Sequence, residues 1–189
     1  MAMACRCEQR TADLITLAEA TPTIAPAIVR PTLRFVYAHP AHGIAFAGGI
    51  GLMPFAPGTF GTLLAFPLFS LLAAYGDDIM QLYVFIGFFV LGAWACQITG
   101  RALGVSDHGG MVWDETVAFL LVLFFTPAGW AWQMAAFALF RFFDIVKPPP
   151  IRYFDRTLKS GFGVMFDDLL AAGYTVFVLA LAKTLIEKL

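Results

Sequence analysis

The sequence predicts an all-α fold, a polytopic helical membrane bundle containing a helical hairpin and a Gly/Pro-rich re-entrant or surface loop. Three observations predict it. Of 189 residues, 60% are apolar and only 13% are charged, whereas soluble domains carry about 45–50% and about 25%. So few charges cannot cover a water-facing surface, but a bilayer requires apolar positions there. Long charge-free runs alternate with short polar segments, and those segments hold nearly all of the basic residues. The net charge of −1 gives no sign of a nucleic-acid partner.

In chain order, residues 1–34 mix four Arg with Glu8, Asp13 and Glu19. They lack the uninterrupted apolar core of a signal peptide and are expected to form a partly disordered cytoplasmic tail. Residues 35–189 are expected to form one membrane-embedded domain. Cys5, Cys7 and Cys96 make no disulfide framework. The stretch from Gly43 to Thr62 is too rich in Gly and Pro for one smooth helix. It is expected to be a re-entrant or surface loop, with an apolar spanning helix following from Leu63 to a turn at Gly76-Asp77-Asp78.

Ile79–Gly100 is free of charge for 22 residues, enough to span a membrane. Residues 101–115 are polar. Thr116–Phe140 is again charge-free but is broken by Thr126-Pro127-Ala128-Gly129, which predicts a hairpin. Trp130 and Trp132, beside that turn, fit an interfacial belt. Leu169–Ala182 and its flanks predict a last helix, with Asp167 and Asp168 at its start. The hairpin also satisfies charge sidedness. It puts residues 101–115 and 141–168 on the same side as the N-terminal tail, and together these hold ten of the twelve basic residues.

Ionisable groups near a membrane are costly and call for a reason. Asp114 and Glu115 would open the first arm of the hairpin, while Arg141 and Asp144 would share a face near the end of the second. Lys147 continues that face before Pro148-Pro149-Pro150 stops the helix. Asp167 and Asp168 would pack alongside. Five converging acids suit Mg²⁺, which takes a few carboxylates and shares the rest of its shell with water and phosphate oxygens. Arg141, Lys147, Arg152 and Arg156 are suited to holding phosphate. The alternative is a set of interfacial salt bridges that only anchor helix ends.

The stretch Pro57-Gly58-Thr59-Phe60-Gly61-Thr62 could cradle a phosphate with its amides and hydroxyls, or it could be a tight turn with Thr62 as a helix cap. It lacks the GxxxxGK[ST] pattern of nucleotide P-loops. His108 is a candidate general acid, proton shuttle or metal ligand. Cys96 and Arg101 lie one residue too close for a cysteine-phosphatase loop, and no Asp-x-Asp nucleophile motif is present. Metal-assisted chemistry therefore fits best.

Four segments carry a family resemblance: GGIGLMPFAPGTFGTLLAFP at 48–67, DHGGMVWDETVAF at 107–119, FRFFDIVKPPPIRYFDR at 140–156 and GFGVMFDDLLAAG at 161–173. In order and spacing the chain resembles the phosphatidylglycerophosphatase A family over about residues 43–185. The resemblance implies a Mg²⁺-dependent phosphatase, multi-pass in the bacterial cytoplasmic (inner) membrane. It would hydrolyse phosphatidylglycerophosphate to phosphatidylglycerol and phosphate at a site facing the cytoplasm. It carries the family's charged motif positions onto Asp114, Glu115, Arg141, Asp144, Lys147, Arg152, Asp155, Asp167 and Asp168.

The expected roles follow from residue chemistry. Glu115, Asp144, Asp167 and Asp168 hold the metal. Arg141, Lys147 and Arg152 bind phosphate, with Thr59 from the glycine-rich stretch. Asp114 or Asp155 orients the attacking water, and His108 is a further catalytic candidate. Phosphatidylglycerophosphate and membrane lipids are the expected partners. Rival expectations are a phosphatase or phosphotransferase for another lipid phosphate, a small transporter, and a non-catalytic scaffold.

Overall fold

The computed structural model describes residues 31–188, all of whose regular structure is helical. The tail expected at 1–34 therefore lies almost wholly outside the described residues. The helices are α1 (Leu33–Ala38), α2 (Pro40–Ala45), a 3₁₀ segment (Ala47–Leu52), α3 (Pro57–Tyr75), α4 (Asp78–Leu103), α5 (Trp113–Phe125), α6 (Trp130–Val146), α7 (Ile151–Thr157) and α8 (Gly161–Ile186). Among the described residues, α3, α4 and α8 are long and apolar enough to cross a membrane. At 1.5 Å per residue α4 and α8 measure about 39 Å and α3 about 28 Å, against a hydrocarbon core of about 30 Å.

The expected hairpin is present as α5 and α6, joined through the turn at Thr126 to Gly129. At about 20 Å, α5 cannot cross alone. It occupies the centre of the bundle instead, packed against α3, α4, α6 and α8. Thr116, Val117, Phe119 and Val122 on this helix are fully buried. Its charge-free stretch from Thr116 to Phe125 reflects burial among helices more than contact with lipid.

Local chemistry sets the helix ends. The Asp77 carboxylate accepts from the Met80 amide and starts α4, and Gly104 in the left-handed region ends it. Ser160 caps α8 by accepting from the Gly163 amide. Lys147, at φ 45°, closes α6 where three prolines forbid continuation.

Two expectations need correction. The spanning helix begins at Pro57, not Leu63, so the Pro57–Thr62 motif is its first turns and not part of a loop. Proline suits the first helical position because its missing N–H had no partner to lose. The last helix begins at Gly161, which places Asp167 and Asp168 in its second turn and not at its start. The remainder of the Gly/Pro-rich stretch folds as α2, the 3₁₀ segment and a short loop.

Small residues let α3 and α5 approach. A Cβ on Gly61 would lie 2.7 Å from the Val112 Cβ, so only glycine fits without movement. Across this seam the Thr116 hydroxyl lies 2.8 Å from the Gly61 carbonyl and 2.8 Å from its own-helix Val112 carbonyl, donating between them. In lipid, apolar burial releases little water, so close packing and such hydrogen bonds hold helices together. Phe119 and Phe140 fill the core beside this seam, and Phe46, Met111 and Met165 fill a second core towards α2 and α4.

Candidate active site

The polar centre lies where the C-terminal end of α6 meets the N-terminal parts of α3, α5 and α8. Two cations organise it. The Arg141 guanidinium lies 2.6 Å from Asp144 Oδ2, one turn further along α6, and 3.5 Å from Glu115 Oε1 on α5. It also donates to the Thr62 hydroxyl at 3.3 Å, while that hydroxyl donates to the Gly58 carbonyl at 2.9 Å. Lys147 bridges Asp155 on α7, at 3.0 Å, and Asp167 on α8. Asp114 is 6% exposed, and Asp167 and Asp168 are each 4% exposed. Asp168 lies within electrostatic reach of Asp144, Asp114, Asp167 and Glu115.

The first turn of α3 presses directly on this centre. A Cβ on Gly58 would sit 2.1 Å from Glu115 Oε1 and 3.1 Å from the Arg141 guanidinium. Any larger residue here would have to displace the Glu115 carboxylate or the Arg141 guanidinium.

Outside the spanning helices, charge pairing governs ionisation. Burial alone would lower the Lys147 ammonium, yet Asp167 and Asp155 outweigh it and hold Lys147 above its ordinary range. Partial burial works against the Asp155 carboxylate, but its bond to Lys147 prevails and holds it below its ordinary value. Both groups are charged across the physiological range.

Six carboxylates thus gather around two bonded cations. Oε2 of Glu115, Oδ1 of Asp167 and Oδ2 of Asp168 are buried with no hydrogen-bond partner, as is Nε of Arg141. Buried acceptors normally find donors, so three such oxygens in one cluster match a hard cation in donor chemistry. Spacing sets a condition on that match. Among the described residues no three His, Cys, Asp or Glu side chains are grouped closely enough to hold an ion as they stand, and Arg141 and Lys147 occupy part of the carboxylate surface.

The structure brings together most of the residues singled out from sequence: Asp114, Glu115, Arg141, Asp144, Lys147, Asp155, Asp167 and Asp168. Four stand apart from this network, among them Arg156, which is exposed and makes no ion pair among the described residues. Arg152 is exposed and donates to the Val146 carbonyl at 3.3 Å. His108 accepts from the Gly110 amide at 3.0 Å and lies near the Phe46 ring, organising its own loop. Thr59 is half-buried and makes no side-chain hydrogen bond among the described residues. Two contributors were not placed at this centre by the sequence reading, in which Thr62 was a helix cap or part of a phosphate cradle and Asp107 had no role. Thr62 supports Arg141, and Asp107 lines a small cleft with Asp155 and Asp167. Asp107 sits in a loop without periodicity, so its sequence could not say which way it faces.

A helical bundle with three helices able to cross a membrane and a buried, cation-bridged acidic centre at one end defines a class, that of membrane-embedded proteins built around an ionisable polar centre. The family model for phosphatidylglycerophosphatase A matches residues 43–183. A phosphatidylglycerophosphatase A of Haemophilus influenzae is 47% identical over 150 residues, covering 78% of this chain and 91% of the relative. One from Escherichia coli is 38% identical over 150 residues, covering 77% and 87%. A Bacteroides thetaiotaomicron protein named "Putative phosphatidylinositol-3-phosphatase" is 39% identical over 145 residues, covering 73% and 90%. No solved structure matches the chain. The chain belongs to the phosphatidylglycerophosphatase A family and is a phosphatase.

Proposed function

We propose that the protein hydrolyses the terminal phosphomonoester of phosphatidylglycerophosphate, yielding phosphatidylglycerol and phosphate, at the cytoplasmic face of a bacterial inner membrane. The observation that carries this reading is the pair of bridged cations among buried carboxylates, at the bundle end that collects the basic residues. The names of the Haemophilus and Escherichia relatives support the substrate.

In this reading the acyl chains stay in lipid and the headgroup enters the cleft at Asp155 and Asp167. Arg141 and Lys147 exchange part of their carboxylate contacts for phosphate oxygens, holding the phosphorus in place and stabilising charge as the ester bond breaks. Asp155, open to the cleft, orients a water on the side opposite the leaving alcohol and accepts its proton. Asp114 lies deeper and holds the start of α5 through the Glu115 amide, which donates to it at 3.1 Å. Glu115, Asp167 and Asp168, which have partnerless oxygens, would with Asp144 hold Mg²⁺. When bound, that ion would supply Lewis-acid neutralisation of the phosphoryl oxygens.

Phosphate release by the purified protein, measured with Mg²⁺, with chelator and with Mg²⁺ restored, tests the proposal. Loss on chelation and recovery on restoration are expected. Undiminished turnover in chelator would remove the metal from the reading. A second reading, a different lipid phosphate as substrate, is favoured by the name of the Bacteroides relative. A panel of phosphatidylglycerophosphate, phosphatidylinositol phosphates and phosphatidate separates the two by relative kcat/KM.

A further inference from the structure

A second cleft, of about 210 Å³, lies between the C-terminal end of α4 and the N-terminal end of α8. Its polar lining is Gln97, Arg101, Ser106, Lys159 and Ser160, and no carboxylate is among its described lining residues. It adjoins the acidic cleft of Asp107, Asp155 and Asp167, and Ser106 and Lys159 line both. Among the described residues neither Arg101 nor Lys159 makes an ion pair, although acids crowd the neighbouring cleft. The two clefts thus share a wall at Ser106 and Lys159, with acidic lining on one side and basic lining on the other. The start of α8 adds positive potential on the basic side.

We propose that this cleft is a phosphate subsite distinct from the centre where the ester is cleaved. Its chemistry, a guanidinium, an ammonium, two hydroxyls and an amide, suits a tetrahedral oxyanion. Two sources supply such a group: the phosphodiester of the substrate headgroup, one glycerol away from the phosphomonoester, or the phosphate released by the reaction. In the first case the subsite measures the distance between two phosphates and selects doubly phosphorylated headgroups over phosphatidate. The proposal rests on the phosphatase reading, but part of its test does not.

Arg101→Gln, Arg101→Lys and Lys159→Gln are the variants, compared with wild type in phosphate release from phosphatidylglycerophosphate, with detergent thermal melts confirming folding. Loss of one charge-assisted contact should raise KM by about tenfold. In the Arg101→Gln variant kcat should stay near wild type, and Arg101→Lys should recover most of the lost affinity. A diester in the subsite gives this KM change with inhibition by inorganic phosphate unaltered. Released phosphate in the subsite gives the converse, weaker product inhibition at constant KM. Unaltered KM and unaltered phosphate inhibition in both glutamine variants would overturn the subsite. Calorimetric binding of glycerol 1,3-bisphosphate to wild type and Arg101→Gln tests it without turnover. About tenfold weaker binding to the variant is expected, and no binding to wild type would overturn it. Inactive protein that still binds the bisphosphate with this dependence on Arg101 would refute the phosphatase reading and leave the subsite standing.

Discussion

Arg141 does more than balance charge. One nitrogen, Nη1, meets Asp144, Glu115 and Thr62 together, so the planar guanidinium still presents its second terminal nitrogen to a phosphate oxygen, a donor that a lysine ammonium lacks. Arg141→Lys is expected to lower kcat/KM by about 100-fold, the scale of removing one positioned donor to a transition-state oxygen. Steady-state phosphate release checks this, and near-wild-type turnover would remove Arg141 from the phosphate clamp. Asp168 makes the opposite point. One of its oxygens is buried without a partner, so ionised Asp168 costs desolvation free energy that no protein donor offsets. Asp168→Asn should reduce turnover by at least about 100-fold while leaving the thermal melt unchanged or raised. A lower melting temperature at full activity would contradict both halves. The Lys147–Asp155 pair carries a pH signature. Asp155 is held below its ordinary pKa, so its contribution to stability is present above the unfolded value of about 4 and is lost as pH falls through the folded value. Lys147 is held above its ordinary pKa, so its contribution is present below about 10.4 and is lost only as pH rises through the folded value. Melts between pH 3 and 6 should show wild type losing its advantage over Asp155→Asn at the acid end. A constant gap would mean the pair contributes nothing.

At the scale of elements, the seam between α3 and α5 sets the position of Glu115 and Arg141. Gly58 touches that centre directly, and Gly61 holds the seam one turn deeper. Gly58→Ala should therefore displace Glu115 or Arg141 and depress kcat strongly at modest cost in stability. Gly61→Val should instead lower stability by about 1–3 kcal/mol through overpacking against Val112. Comparing activity loss with melting temperature for the two variants checks this division, and similar behaviour in both would abolish it. The hairpin explains why residues distant in sequence share one site. Its turn returns α6 so that Arg141 meets Glu115, and the prolines after Lys147 redirect the chain into α7, bringing Asp155 back to Lys147.

For the whole molecule, the arrangement predicts sidedness. α4 ends, α5 begins, α6 ends and α8 begins at one end of the bundle, while the turns at Asp77 and at Thr126–Gly129 lie towards the other. In a cysteine-free background, Ser106→Cys and Lys159→Cys should react with an impermeant thiol reagent from the same side of sealed vesicles. Asp77→Cys should react only from the other side. Labelling of the first two from opposite sides would break the hairpin topology. In the proposed function this placement lets a lipid phosphate reach the buried acids while its chains remain in the bilayer.

By itself the sequence determined the membrane class, the hairpin and the acids and bases of the centre. Charge deficit and long apolar runs follow directly from the solvent the chain must satisfy, and the Thr126–Gly129 break together with charge sidedness favoured the hairpin over a straight span. Tertiary structure decided what depends on contact. Pro57–Thr62 read as a loop because glycine and proline disfavour isolated helices, yet Gly58 and Gly61 are what let α3 dock on α5. Asp167 and Asp168 read as a helix start because the charge boundary falls there, whereas Ser160 starts the helix and buries both acids among its neighbours. Asp107 and Thr62 carried no directional signal, since a loop residue and a helical hydroxyl acquire their partners only when other helices close around them. Composition and spacing record what each residue can do with solvent and with its own turn of chain, but which side chain faces which is settled only by packing.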